Sequence, residues 1–214
     1  MNKYQETMLE QHFPRKGDVL LKPAGPHTRG LLTDPLGFKN LNGYCHSSED
    51  MYLYERGYKR AAEFLLQEAV DQHPCHPLIL PILFLYRHYV EVSLKSALRD
   101  ASQFMIDATV PACDHNLLEL WKQLKGILPV AWPQAPPDQV EAVEACINEM
   151  CEHDPASVAF RYPTDREGNP HLEKLQSIDL LNLKDVMHGV GNFLDCVGEA
   201  IAQQLEFRRE INGL

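Results

Sequence analysis

From residue 49 to the end of the chain, apolar side chains return every third or fourth position, and nowhere do they alternate for the length of a strand. That period is the stripe of a helix with one buried face, and it leaves little room for a sheet. The first stretch, Glu49 to Val70, places Tyr54, Tyr58, Ala61, Ala62, Leu65, Leu66 and Ala69 on one side. Two prolines in the segment HPCHP (73–77) end it. A second helix is predicted from Leu78 to about Met105, apolar almost all round at its start and therefore central. Pro81 is tolerable there, because a first-turn amide has no intrahelical partner to lose.

The third predicted helix, Asn116 to about Leu128, carries Leu117, Leu120, Trp121, Leu124 and Leu128 before VAWPQAPP stops it. Asp138 with Glu141 three residues on reads as a capping box opening the fourth, which continues through Val143, Ile147 and Met150. The stretch 154–177 is too rich in Pro and Gly to be regular. The last helix, about Leu180 to Glu210, bears a stripe from Leu183 to Ile201 long enough to pair with a partner helix. The expected architecture is an all-α bundle of five helices over residues 49–214.

Residues 1–48 break this pattern. Pro14, Pro23, Pro26 and Pro35 alternate with Gly17, Gly25, Gly30, Gly37 and Gly43, so an irregular N-terminal arm is expected, lying over the bundle or a partner. The chain has 214 residues and 30 acids against 20 bases, a net charge of −10, which argues against sequence-blind coating of nucleic acid. The longest apolar run, Leu78–Tyr86, is far too short to span a bilayer, so no membrane is expected as a partner. With no export signal in the sequence and six cysteines outside any tight framework, reduced thiols and a cytoplasmic location are expected.

Two groups of residues can carry chemistry. Arg87, Glu91 and Lys95 fall at i, i+4 and i+8 on the second helix, with His88 beside them. They form either a ladder of ion pairs on a solvated edge or a polar cluster lining a groove, joined there by His115 from the third helix. The loop FRYPTDREGNPH (160–171) brings Arg161, Tyr162, Arg166 and His171 into one segment. It reads either as an anion or nucleotide contact, or as a crossover in which Arg161 ties down a helix end. A metal site is not expected: His73, Cys75 and His76, and likewise Cys146, Cys151 and His153, lack any recognised ligand spacing. No phosphate loop, dinucleotide fingerprint or nucleophile elbow occurs, and no cofactor is expected.

Three segments, in order, resemble the HEPN family of α-helical bundles: Glu91-Val-Ser-Leu94-Lys95 in the second helix, DHNLLELW (114–121) at the third, and FRYP (160–163) before the last. The resemblance covers about residues 49–205. It implies a compact, commonly dimeric bundle of the kind found in toxin–antitoxin and phage-defence systems. Active members of that family are metal-independent RNases carrying Arg-x(4–6)-His at a helix start. Arginine stabilises the phosphorane charge there, and histidine moves a proton. In this chain the pattern occurs once, as Arg166–His171, across Gly168 and Pro170, and no arginine stands ahead of His188 at that spacing. The expectation is a dimeric HEPN-like module that binds RNA or a partner protein, such as an antitoxin or defence component, without cutting. The alternatives are a metal-independent endoribonuclease using Arg166 and His171, or a non-standard set around Arg87, His88 and Glu91, and a protein-interaction scaffold.

Overall fold

The computed structural model describes residues 51–72, 77–103, 115–173, 175 and 177–213. Five α-helices run through them: α1 Met51–Gln72, α2 Ile79–Ala101, α3 Leu117–Ala131, α4 Pro137–His153 and α5 Leu180–Asn212. Among the described residues there is no strand, and the one β-type pairing is a bridge between Thr164 and Pro170. The protein is an all-α bundle. The expected arm and the histidines and cysteine at 73–76 lie outside the described residues.

The central place of α2 follows from its sequence. Ile82, Tyr86, Val90, Leu94 and Leu98 recur every four residues and are all buried, while Tyr89 and Ala97 bury the adjoining strip. Helix α2 therefore packs against α1, α3 and α5. Helix α3 turns Leu117, Leu120, Trp121 and Leu124 into the same core, and α5 adds Met187, Val190, Val197 and Ile201. Each such side chain, fully buried, contributes roughly 1.5–3 kcal/mol from the area it removes from water. No helix among the described residues is long and apolar enough to cross a membrane.

Five helix ends differ from expectation or refine it. Helix α2 stops at Ala101 rather than Met105, because Gln103 N bonds Asp100 O at 3.1 Å and tightens the turn, while the Ser102 hydroxyl donates to Arg99 O at 2.6 Å. Helix α3 runs past Leu128 to Ala131; Pro129 forfeits one donor, and the Trp132 amide closes the last turn on Leu128 O at 2.7 Å. The capping box at Asp138 does not form. Pro136 is the N-cap and Pro137 the first helical residue, so Asp138 falls inside the first turn and caps nothing through its side chain. Asn116 and Asp179 do cap: Asn116 accepts from the amides of Leu118 and Glu119, and Asp179 from those of Leu181 and Asn182.

Candidate functional site

The site is built on a buried arginine. Arg87 has no exposed surface, and its guanidinium is divided among three elements. Nε donates to the carbonyl of Asp154 at 3.0 Å, Nη1 to Glu91 Oε2 at 3.2 Å and Nη2 to the carbonyl of His115 at 2.9 Å. Asp154 Oδ2 adds an ion pair at 3.6 Å. A buried guanidinium is tolerated only when its charge and its donors are both matched, and here they are. The Arg87–Glu91–Lys95 row is thus neither a solvated ladder nor an open groove lining. Its first member is core, and its last reaches water.

Glu91 carries the row outward. Its Oε1 accepts from Lys95 Nζ at 2.8 Å and lies 2.7 Å from His115 Nδ1. A carboxylate only accepts, so the His115 ring holds a proton on Nδ1. Burial pushes the Glu91 carboxyl up, but the hydrogen bonds from Lys95 and His115 outweigh it and hold the group below its ordinary range. Glu91 is therefore ionised at neutral pH. The His115 side chain is 63 % exposed, against 2 % for Glu91, so the pair runs from core to solvent.

The loop after α4 is fixed by Asp154, its C-cap residue. Asp154 Oδ1 accepts from the amides of Val158 at 2.6 Å and Ala159 at 2.9 Å. Between them Ser157 adopts φ +58°, a left-handed conformation that a residue with a Cβ holds only when its surroundings impose it. The Ser157 carbonyl then accepts from Arg161 Nε at 2.6 Å and also from Nη2. So Arg161 does tie down a backbone carbonyl. Its guanidinium also stands over two rings, 5.6 Å from the Phe84 centroid and 5.7 Å from that of Tyr162.

Phe84 links the two groups. Its ring stacks on His88 at 5.7 Å, and the Tyr58 ring meets His88 at right angles, 4.3 Å between centroids. Burial lowers the His88 pKa, with Lys95, His115 and Arg87 adding repulsion against the pull of Glu91, so this ring is neutral at pH 7. Arg87, His88, Glu91, Lys95, His115, Arg161 and Tyr162, read from the sequence as two candidate sites, form one connected set around Arg87 and Phe84. Phe84, Asp154 and Ser157 were missed. Phe84 looks like any apolar residue of an apolar helix, whereas Asp154 directly after α4 did carry a signal, that of an acid at a helix break able to cap the next turn.

Arg166 and His171 fall elsewhere. Residues 164–170 make a small hairpin closed by the Thr164–Pro170 bridge, with Asp165 accepting from the amides of Glu167 and Asn169, and Gly168 at φ +90°. Arg166 is exposed in that turn, while the His171 amide bonds Pro163 O at its base. No hydrogen bond or ion pair joins the two side chains. Among the described residues no group of three potential ligands is placed to hold a metal ion. Burial pushes the Cys146 and Cys151 thiols up, as expected of core-filling residues rather than thiolate ligands. Compared with family models, curated proteins and solved structures, the chain matches none.

Proposed function

We propose that the protein is a HEPN-like RNA-binding module that holds a single-stranded segment without cutting it, in a prokaryotic defence or toxin–antitoxin setting. One observation carries the reading: Arg161 stands over the rings of Tyr162 and Phe84, Phe84 stacks on the neutral ring of His88, and Lys95 and His115 meet at Glu91, one helical turn on from His88. Rings set around an arginine suit unpaired bases, which offer a π-face whatever their identity. Binding without cleavage is favoured because the cations are committed. Arg87 spends its donors on Asp154, Glu91 and His115, and Arg161 bonds Ser157, which leaves little to follow charge onto a phosphorane.

A second reading, a metal-independent endoribonuclease, is favoured by the pairing of His115 with Glu91. A carboxylate that orients an exposed imidazole is an arrangement suited to proton transfer. The resemblance also implies a two-fold pair of chains, and Phe207 and Ile211, 58 % and 66 % exposed near the end of α5, offer it an apolar contact.

Anisotropy of a labelled single-stranded oligoribonucleotide tests the first reading, with Arg161→Ala and Tyr162→Ala beside the parent protein. Loss of affinity in both variants supports it, and an affinity neither variant changes overturns it. Incubation with total RNA in chelator decides between the readings. Cleavage that disappears in His115→Ala, or in Arg166→Ala and His171→Ala, replaces the binding module by the nuclease.

A further inference from the structure

A cavity of about 290 Å³ opens between α2, α4, the first turns of α5 and the loop that leads into α5. It shares no residue with the face around Arg87. Tyr86, Phe160 and Met187, all buried, form its floor, and the half-buried Leu83, Met150 and Leu183 its walls. The mouth is different in kind. Glu149 and Asp179 line it, both exposed, and among the described residues the one basic side chain in the lining is His153. Asp179 commits Oδ1 to the amides of Leu181 and Asn182, each at 3.0 Å, and Glu149 has no ion pair among the described residues. The charge of Glu149 reaches the lining itself: after burial, it is the next influence raising the thiol of Cys146 beside it.

We propose that this cavity is a binding site for a small organic cation with an apolar body, an arylalkylamine or a compound of that shape. The apolar floor supplies the area term. Its volume suits about one ring and a short chain. An anion is disfavoured twice, by the two carboxylates at the mouth and by the net charge of −10. Glu149 lines the same cavity as Phe160 and Met187, so an ammonium can meet the carboxylate while an aryl body takes the apolar lining, and a charge-assisted hydrogen bond to a carboxylate is the stronger kind.

Methyl NMR of the labelled full chain tests this, because Met150 and Met187 both line the cavity. The probe is 2-phenylethylamine, with phenylacetate and 2-phenylethanol as charge-reversed and neutral compounds of the same body. Saturable shifts of both methyls are expected with the amine, with binding about tenfold weaker for phenylacetate and for the amine with Glu149→Gln. Leu183→Trp, which fills the space, is expected to abolish the shifts. No saturable shift up to about 10 mM amine, equal binding of phenylacetate, or an unchanged affinity in Glu149→Gln overturns the proposal. Glu149 is on the surface, so that variant decides the matter even where Leu183→Trp fails to fold. RNA affinity is measured separately, so neither result stands in for the other.

Discussion

Arg87 and Asp154, neither with any exposed surface, meet twice: Nε donates to the Asp154 carbonyl at 3.0 Å and stands 3.6 Å from Oδ2. The contact pins the end of α4 and the loop after it to the middle of α2, and through that loop it positions Arg161. The surface around Arg161 and the core are thus one construction, and a change in the core is felt at that surface.

Removing the fork of Arg87 is therefore costly. Arg87→Lys keeps the charge but cannot serve acceptors on three elements at once, and Arg87→Met leaves Asp154 buried without its cation and takes one of the two cations from Glu91, which keeps Lys95. A loss of about 3–5 kcal/mol is expected for Arg87→Met, with Arg87→Lys only partly restoring it. Urea denaturation measures both, and a loss in Arg87→Met below about 1 kcal/mol removes the network as a source of stability.

Acidification is expected to weaken the fold in two steps. His88 has a folded pKa below its ordinary 6.5, so the unfolded chain takes the proton more readily. Its contribution is present above pH 6.5 and fades as the pH falls below it. Glu91 is held below its ordinary 4.5, so its contribution is present above that pH and is lost as the pH falls further. Between pH 8 and 5 the parent's urea midpoint should fall relative to that of His88→Phe, which lacks the titrating ring, and in the second step it should converge on that of Glu91→Gln. A parent-to-His88→Phe difference identical at pH 7.5 and 5.5 would count against the first.

Gly191 lies buried in α5, and a Cβ there would stand 2.6 Å from Lys59 Nζ and 2.9 Å from Cε, displacing a side chain that lies over Tyr89 and pairs with Asp195. The atoms met are the flexible end of a lysine, so Gly191→Ala is expected to be nearly neutral. The gain of about 1 kcal/mol in helix propensity offsets the displaced contact. With Lys59→Ala the same change should stabilise by close to that full amount. A double-mutant cycle with no coupling between the two sites excludes the contact.

On the face proposed to bind RNA, Tyr162 is 56 % exposed and its ring lies under the Arg161 guanidinium. Tyr162→Ala is expected to weaken single-stranded RNA binding by about 5- to 150-fold, the span of one lost base stack. Arg161→Ala should also flatten the dependence of log affinity on log salt by about 0.7, one phosphate contact on a single strand. A variant that changes affinity but not that slope assigns Arg161 to stacking alone.

The sequence by itself determined the helices. Period and proline placed all five within a few residues, because an apolar stripe and a missing amide act locally. It also put Arg87, Glu91 and Lys95 on one face, a consequence of helical pitch alone. What it could not decide was which of the three would be buried. A charge enters a core only when partners surround it, and those of Arg87 are the carbonyl of His115, 28 residues away, and Asp154, 67 away. The tertiary fold alone supplies them. The same distance in the chain hid the role of Phe84, which joins His88 to Arg161 only once the loop after α4 has folded back onto α2. The short spacing of Arg166 and His171 was legible, yet the hairpin between Thr164 and Pro170 sets one in the turn and the other at its base. Nearness in sequence did not become contact, whereas residues far apart in the chain did meet, because packing and not spacing brings side chains together.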